Sequence, residues 1–548
     1  MSTNISKQKR DDLLQKIAKI RKYISSAPQD ENTGNLLSYL NELEKDVYGK
    51  KYGLIFEEHR EAIDDILETH TPVLREEQEL FIDCGGQMNF LIEGDNLASL
   101  KILQKTHKGK IDLIYIDPPY NTGSRDFIYN DTYVNVNDGF KHSKWLSFIS
   151  KRLAISKNLM SSRGLIFISI DDNEVAQLKL LCDEIFGNDN FRGQIVRGTG
   201  TPTGQGNSII SNEIDYILVY AKSAEAIFNG LPFDEESSKI YNLSDKYGRY
   251  LNRPLRKTGG EDRRQDRPSM YFPITAPDGT QIYPIAPSGY ESRWRCQEST
   301  YQQLVKDHRI EWKRDKSGWK VYQKFYLEGR TKQPGNLWTN IEGNKKATIT
   351  IKDLFGKNIF SFPKPVELIY RIAQISSSSD SIILDYFAGS GTTAQAVMKL
   401  NLDDGGARHF ILCTNNENNI CRDVTYERIR RVIDKEKYAA SLKYYKVEYV
   451  PISEQLYYEY ADELLAHIRE LVELENGMNF TGNAEIAIVL TEEELADFIA
   501  DTINFNKCHK LYMGHDILPD EEQLNLIASH HIEVNIISDY YYRDLQEN

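Results

Sequence analysis

Apolar positions along this chain recur with two periods, and the change of period marks its organisation. Leu13, Ile17, Ile20 and Ile24 are spaced for one helical face, as are Leu36, Leu40, Leu43 and Val47. Residues 1–50 are therefore expected to form two amphipathic helices, with Pro28 and Gly34 punctuating the link. From about residue 80 short apolar runs alternate with longer amphipathic stretches. LIEGD (91–95), DLIYID (112–117), LIFISI (165–170) and YILVYA (216–221) read as strands. NLASLKILQK, KWLSFISKRLAISKNLM and NEVAQLKLLCDEIFG read as helices, the last closed by Gly187. This alternation predicts a parallel sheet with helices on both faces.

The rhythm breaks over residues 222–355, which are rich in Pro, Gly, Tyr and Arg, carry no predicted long helix, and hold Trp294, Trp312, Trp319 and Trp338. It resumes at SIILDYF (381–387), followed by the helix TTAQAVMKL and the strand HFILCT (409–414). One sheet interrupted by an inserted domain is expected. The tail alternates again: EIAIVL, a helix from Glu492, KLYMG, a helix from Glu521, then HIEVNIIS. That predicts a small separate α/β unit.

Composition refines this picture in three places. No apolar run approaches the ~18–20 residues that cross a bilayer, and the opening MSTNISKQKRDD lacks the apolar centre of a secretory signal. Six scattered cysteines (Cys84, Cys182, Cys296, Cys413, Cys421, Cys508) form no C-x-x-C pair, so neither a disulfide framework nor a metal site is expected. A cytoplasmic protein with no membrane partner fits best. The formal charge of −14 is unevenly spread. Residues 191–350 hold 25 Lys+Arg against 18 Asp+Glu, whereas residues 451–548 hold 4 against 21. A basic middle precedes an acidic tail.

Two motifs carry chemistry. In LDYFAGSGTTAQA (384–396), Gly389, Gly391 and Ala394 satisfy G-x-G-x-x-G/A between a strand and a helix. The glycines permit a tight turn and close approach of a ligand to the backbone. GSGTT lacks the lysine of a nucleotide-triphosphate loop. The loop fits either a dinucleotide or S-adenosylmethionine, and Glu417 beyond the next strand could meet a ribose in both cases. In IDLIYIDPPYNTG (111–123), an apolar strand ends on Asp117, Pro118, Pro119 and Tyr120. Asp117 supplies a carboxylate and the Pro118 carbonyl a second acceptor, both aimed by rings that fix φ. Tyr120 offers a face for stacking a base. Two acceptors facing an exocyclic amine draw its lone pair out of the aromatic ring, which suits a pocket for a flipped nucleobase.

These residues resemble the S-adenosylmethionine-dependent amino-methyltransferases of DNA, in which Asp-Pro-Pro-Tyr goes with adenine N6. LIEGDNLASL and DLIYIDPPY precede the basic insert, while FPKPVELI (362–369) and YFAGSGTT follow it. That order resembles the circularly permuted β class. IYIDPPYNTG, KYGLIFEE (51–58), RPSMYFPI (267–274) and the acidic tail are similar to the modification (Mod) subunits of type III restriction-modification systems. The resemblance implies a Rossmann-like class I α/β methyltransferase sheet over residues 51–190 and 356–448. It implies an inserted target-recognition region at 191–355 whose first strand, 216–221, still belongs to the sheet, N-terminal helices at 1–50, and an acidic C-terminal α/β domain at 449–548. Asp117, Pro118, Pro119 and Tyr120 would form the catalytic loop. Asp95 would meet the adenine amine of the cofactor beside Asn96, and Asp385, Phe387, Ala388, Gly389, Ser390, Gly391 and Thr392 would surround it. Lys364 would line its methionine end and Glu417 its ribose.

RPLRK, SRWRC and EWKRDKSGWK mix cations with aromatics. Arg253, Arg256, Lys257, Arg293, Arg295, Lys313 and Arg314 are expected to grip double-stranded DNA, with the Gly-rich 198–208 as a DNA-side loop. A homodimer is expected, and the acidic tail is expected to dock a protein, such as a restriction helicase-nuclease subunit. A solitary or phage-exclusion methyltransferase, a catalytically silent DNA-binding subunit and a dinucleotide oxidoreductase are the competing readings.

Overall fold

The computed structural model describes residues 5–26, 31–48, 56–123, 128–129, 132–133, 138–200, 212–316, 318–452, 466–480, 483–514 and 517–537. Helices α1 (Ile5–Ser26) and α2 (Glu31–Tyr48) form a hairpin around Ile17 and Leu40, tied by Arg21 to Glu44 at 2.5 Å. Gly34 lies inside α2 rather than in the link. The 198–208 loop falls outside the described residues from 201 onward.

Ten strands make the central sheet: β1 (His70–Glu76), β2 (Gln87–Glu93), β3 (Ile111–Ile116), β4 (Met160–Ile170), β5 (Phe191–Gly198), β6 (Ile214–Ala221), β7 (Leu337–Trp338), β8 (Ile382–Asp385), β9 (His409–Thr414) and β10 (Ala440–Pro451). Their order is β1-β10-β2-β9-β8-β3-β4-β6-β5-β7. The run from β10 to β4 is parallel. β6 pairs antiparallel with β4 and β5, and β1 pairs antiparallel with β10, so the sheet is mixed at both ends.

Helices α4 (Asn96–Thr106), α5 (Lys141–Leu159) and α6 (Val175–Phe186) cover one face. Helices α8 (Val366–Ser376), α9 (Thr392–Asp404) and α10 (Glu427–Glu436) cover the other. The strands between are buried on both faces, as parallel strands under crossover helices must be. An eight-residue helix, α3 (Ala62–Thr69), leads into β1, and α7 (Asn344–Phe355) packs against α10.

The sheet claims more of the insert than the sequence assigns to it. β5 at 191–198 pairs with β6 over its whole length, and β7 returns to pair with β5. The charged residue that disguises β5 is Arg197, fully buried and bidentate to Asp215 of β6 at 2.8 and 2.6 Å. The region expected to lack a long helix contains α7, with twelve residues, and Glu298–Lys306, with nine. Outside the sheet, four antiparallel strands (Leu243–Asp245, Gly248–Pro254, Gly318–Tyr326, Ile310–Asp315) surround a core of Leu255, Phe272, Ile274, Trp294, Tyr301 and Val321.

The tail contributes a three-stranded parallel sheet in sequence order, Ile486–Val489, Lys510–Met513 and Glu533–Ile536. One face packs on the helix Ile468–Asn476, whose Glu473 is fully buried against Lys443 of β10 at 2.6 Å.

Candidate active site

Four carboxyl-terminal strand ends lie side by side along one edge. In sheet order β2 ends before Asp95, β9 before Glu417, β8 before the glycine loop, and β3 before Asp117. Open α/β sheets bind ligands along that edge. β8 and β3 are hydrogen-bonded neighbours, with Ile383 opposite Leu113 and Leu384 opposite Ile114. The two motifs therefore stand at the carboxyl ends of adjacent strands.

The turn after β3 is held from below. Trp145 of α5, fully buried, donates from its indole to the Pro119 carbonyl at 2.7 Å. Asn121 follows with φ +58 and only 1% exposure. Its amide donates to the Lys141 carbonyl at 3.2 Å and to Glu174 Oε1 at 2.6 Å. A left-handed asparagine with a buried side chain ends the turn sharply.

Above it, three side chains meet. The Tyr120 hydroxyl donates to Asp117 Oδ1 at 3.0 Å, and Lys364 Nζ donates to the same oxygen at 2.7 Å. Lys364 Nζ also donates to the Tyr120 hydroxyl at 2.8 Å and lies 4.8 Å from the centre of its ring. Burial, and then the charges of Asp117 and Asp215, push the Tyr120 hydroxyl well above its usual range, so it stays a donor. Lys364 enters from Phe362-Pro363-Lys364-Pro365, where Pro365 caps α8. Its carbonyl accepts from Thr392 Oγ1 at 3.3 Å, which ties this segment to the glycine loop.

That loop is shaped by buried polar groups. Asp385 accepts from the Phe387 N–H at 3.0 Å and from Thr393 Oγ1 at 2.5 Å. Burial raises its carboxyl to about 7, with Asp117 adding to the rise. Gly389 and Gly391 have φ +48 and +72, and a Cβ would stand 3.1 Å from Phe360 or 3.2 Å from Thr425. A π-helical turn, Ile420–Tyr426, brings Thr425 Oγ1 to the Gly389 carbonyl at 2.6 Å. Arg428 of α10 is buried beneath, donating from Nη1 to the Ser390 carbonyl, Ser390 Oγ and Thr392 Oγ1 at 2.8–3.1 Å. Gln395 Oε1 takes its Nε and Nη2. Burial lowers this guanidinium to about 9.

The remaining expected cofactor residues divide. Asp95 Oδ1 caps α4, accepting from Leu97 and Ala98 N–H at 2.7 and 3.3 Å, while Oδ2 lies 3.7 Å from Arg152. Asn96 bridges, donating to the Tyr386 carbonyl and accepting from Arg152 Nε at 2.5 Å. Arg152, fully buried, is bidentate to Glu61 and lies 3.8 Å from the Phe148 ring, which stands 5.8 Å from Phe387. Glu417 is exposed in the turn 417–419, three residues beyond β9.

Among the expected DNA contacts, Arg253, Lys313 and Arg314 are exposed on the antiparallel sheet of the insert. Arg256, Lys257 and Arg295 are half-buried. Arg293 is a correction: it is buried, donating from Nε to the Glu261 carbonyl at 2.5 Å and from Nη1 to Met270 Sδ at 3.2 Å. Its neighbour Trp294 belongs to the insert core, so SRWRC holds the insert together. Sequence reasoning also missed Trp145, Asn121, Glu174, Arg152, Thr425 and Arg428. Only Asn121, next to the motif, carried a local signal.

Residues 111–427 match the DNA methylase family. The chain is 35% identical over 373 residues to the type III restriction-modification enzyme StyLTI Mod subunit of Salmonella typhimurium, covering 63% of this chain and 55% of that protein. It is 35% identical over 404 residues to the EcoPI Mod subunit of Escherichia phage P1, covering 65% and 60%. It is 37% identical over 341 residues to the type II methyltransferase M.KpnI of Klebsiella pneumoniae, covering 59% and 79%. The matched region thus spans little more than half the length of the two Mod subunits.

Proposed function

The chain belongs to the DNA methylase family, and from that premise we propose that it is a site-specific DNA methyltransferase that moves a methyl group from S-adenosylmethionine to N6 of an adenine turned out of double-stranded DNA. The observation that carries this reading is the pairing of β3 with β8, which sets Asp117 beside the glycine loop on one sheet edge.

The residues on that edge fit the cofactor. A side chain at Gly389 or Gly391 would be strained and would crowd Phe360 or Thr425, and the half-buried Phe387 offers an aromatic face. The Ser390 and Thr392 hydroxyls, the Lys364 ammonium and the Asp95 and Glu417 carboxylates supply polar groups of both signs for a zwitterionic nucleoside. When bound, S-adenosylmethionine supplies a methyl carbon on a sulfonium for direct transfer to nitrogen.

The protein's part is positioning and charge placement. Lys364 and Tyr120 both engage Asp117 Oδ1, so the carboxylate is aimed before a base arrives and Oδ2 is left to accept from the amine. The Pro118 carbonyl takes the second amine hydrogen, and the Tyr120 ring stacks the base. With both hydrogens held, the nitrogen lone pair localises toward the methyl group, and Asp117 Oδ2 is placed to take the proton that the methylated amine sheds. An acid in the first position of the motif favours adenine N6.

The exposed cations of the insert would grip phosphates. The Mod-subunit relatives support a restriction subunit as partner; its docking through the acidic tail and a dimer of this chain are further parts of the proposal. The test is to expose DNA of varied sequence to the protein and cofactor, then sequence it for modified bases. N6-methyladenine at one recurring site is the expected result; N4-methylcytosine, or no modification, would overturn the reading.

A further inference from the structure

Beneath the Asp117–Tyr120 turn lies a pair of groups that the mechanism above does not use. Asn121 and Glu174 are 1% and 0% exposed. Asn121 Nδ2 spends one hydrogen on Glu174 Oε1 at 2.6 Å and the other on the Lys141 carbonyl at 3.2 Å. The second oxygen of each group, Asn121 Oδ1 and Glu174 Oε2, is buried with no donor among the described residues. Each orphaned acceptor gives up its hydration with no bond in return, which destabilises the fold. A carboxylate cannot relieve this, since it has no hydrogen to give. A carboxylic acid can, because its O–H would serve the amide oxygen and close a two-bond ring.

We propose that Glu174 is a positioning residue for methyl transfer and works as a neutral acid. Its Oε2–H donates to Asn121 Oδ1 while Asn121 Nδ2 donates to Oε1, fixing the last residue of the catalytic turn. The proposal rests on the methyltransferase reading for its effect on rate, but not for the pairing itself. The titratable and charged groups around Glu174 are His142, whose Nδ1 lies 2.6 Å from Oε1, and Lys141, both at the start of α5. Both favour the anion, as does the hydrogen bond from Asn121 Nδ2. Burial opposes them and is the largest influence, leaving the Glu174 carboxyl above its usual range. His142 Nδ1, at 2.6 Å, completes the hydrogen bonding of Oε1. When Glu174 ionises, its Oε2 and Asn121 Oδ1 repel and the turn loosens.

The discriminating variants are Glu174→Gln, whose amide can reproduce both bonds, and Glu174→Leu, which can reproduce neither. Initial rates of methyl transfer are measured with the full chain from about pH 6 to 9.5, with cofactor affinity measured separately. Glu174→Gln is expected to hold wild-type kcat within about threefold at the low end of this range and to keep it as pH rises and the wild type declines on ionisation of Glu174. Glu174→Leu is expected to lose about thirtyfold or more in kcat with cofactor affinity nearly unchanged. Glu174→Gln falling as far as Glu174→Leu, or Glu174→Leu at wild-type kcat, overturns the proposal. Thermal unfolding of wild type and Glu174→Gln supplies a readout without catalysis. A folded acid with a raised pKa contributes stability that is lost as pH rises. The wild-type midpoint should therefore drop relative to Glu174→Gln as pH rises from the unfolded carboxyl value of about 4.3 through the raised folded one. A flat or rising difference refutes the neutral acid even if no DNA is ever methylated, whereas the expected drop without methylation would refute only the reading of function.

Discussion

Lys364 Nζ lies 2.7 Å from Asp117 Oδ1, joining segments 247 residues apart in the chain. The side chain of Lys364 is only 10% exposed, and it reaches Tyr120 as well. A cation shared between the carboxylate and the phenol occupies Asp117 Oδ1 and leaves Oδ2 to face the position proposed for the amine. Lys364→Met should reduce kcat by about a hundredfold, the scale of losing one aimed donor in a closed site. Single-turnover methyl transfer at saturating cofactor measures this. A variant that loses only cofactor affinity would place Lys364 with the methionine end alone.

Asp385 offers a pH signature. Its folded carboxyl stands near 7, raised chiefly by burial, against an ordinary value of about 3.9 in an unfolded chain. A raised acid stabilises fully below the unfolded value and loses that contribution as pH climbs through the folded one. The melting midpoint of the wild type relative to Asp385→Asn should therefore fall between about pH 4 and 7 and then level off. A difference independent of pH would show that Asp385 is ionised throughout.

Arg428 holds the glycine loop with no carboxylate paired to it among the described residues, using three bonds to Ser390 and Thr392 and two to Gln395. Arg428→Met should loosen the loop and weaken cofactor binding by about tenfold or more, with some loss of stability. Arg428→Lys should fall between, since an ammonium cannot span the same fork of acceptors. Calorimetric titration of the cofactor decides it.

In the insert, exposure separates two kinds of arginine. Replacing Arg253, Lys313 and Arg314 together by alanine should flatten the salt dependence of DNA affinity, each lost phosphate contact removing about 0.9 from the slope of log K against log salt. Arg293→Ala should leave that slope alone and lower the melting midpoint, because its guanidinium is spent on Glu261 and Met270.

Much of the site was legible because its motifs end strands. Apolar runs before Asp117 and Asp385 announce buried parallel strands, and a parallel sheet puts both ends on one edge. The edges of the sheet were not legible. β10 carries Lys443, buried between Glu76 and Glu473, and β5 carries Arg197, buried on Asp215. A charge matched across the fold looks, in sequence, like a surface charge. α7 was hidden differently: Ala347-Thr348-Ile349-Thr350-Ile351 is β-prone, and packing of Ala347 and Ile351 made it helical. Trp145, Glu174 and Arg428 were missed because each acts on a loop that is not its neighbour in sequence.

The most direct test separates cofactor binding from transfer in Asp117→Ala. Asp117 is placed here on the amine and not on the cofactor, so transfer of a labelled methyl group to DNA should vanish while S-adenosylmethionine binds with nearly wild-type affinity. Methyl transfer by Asp117→Ala at the wild-type rate would contradict the assignment of the Asp117–Tyr120 turn as the place where the amine is held.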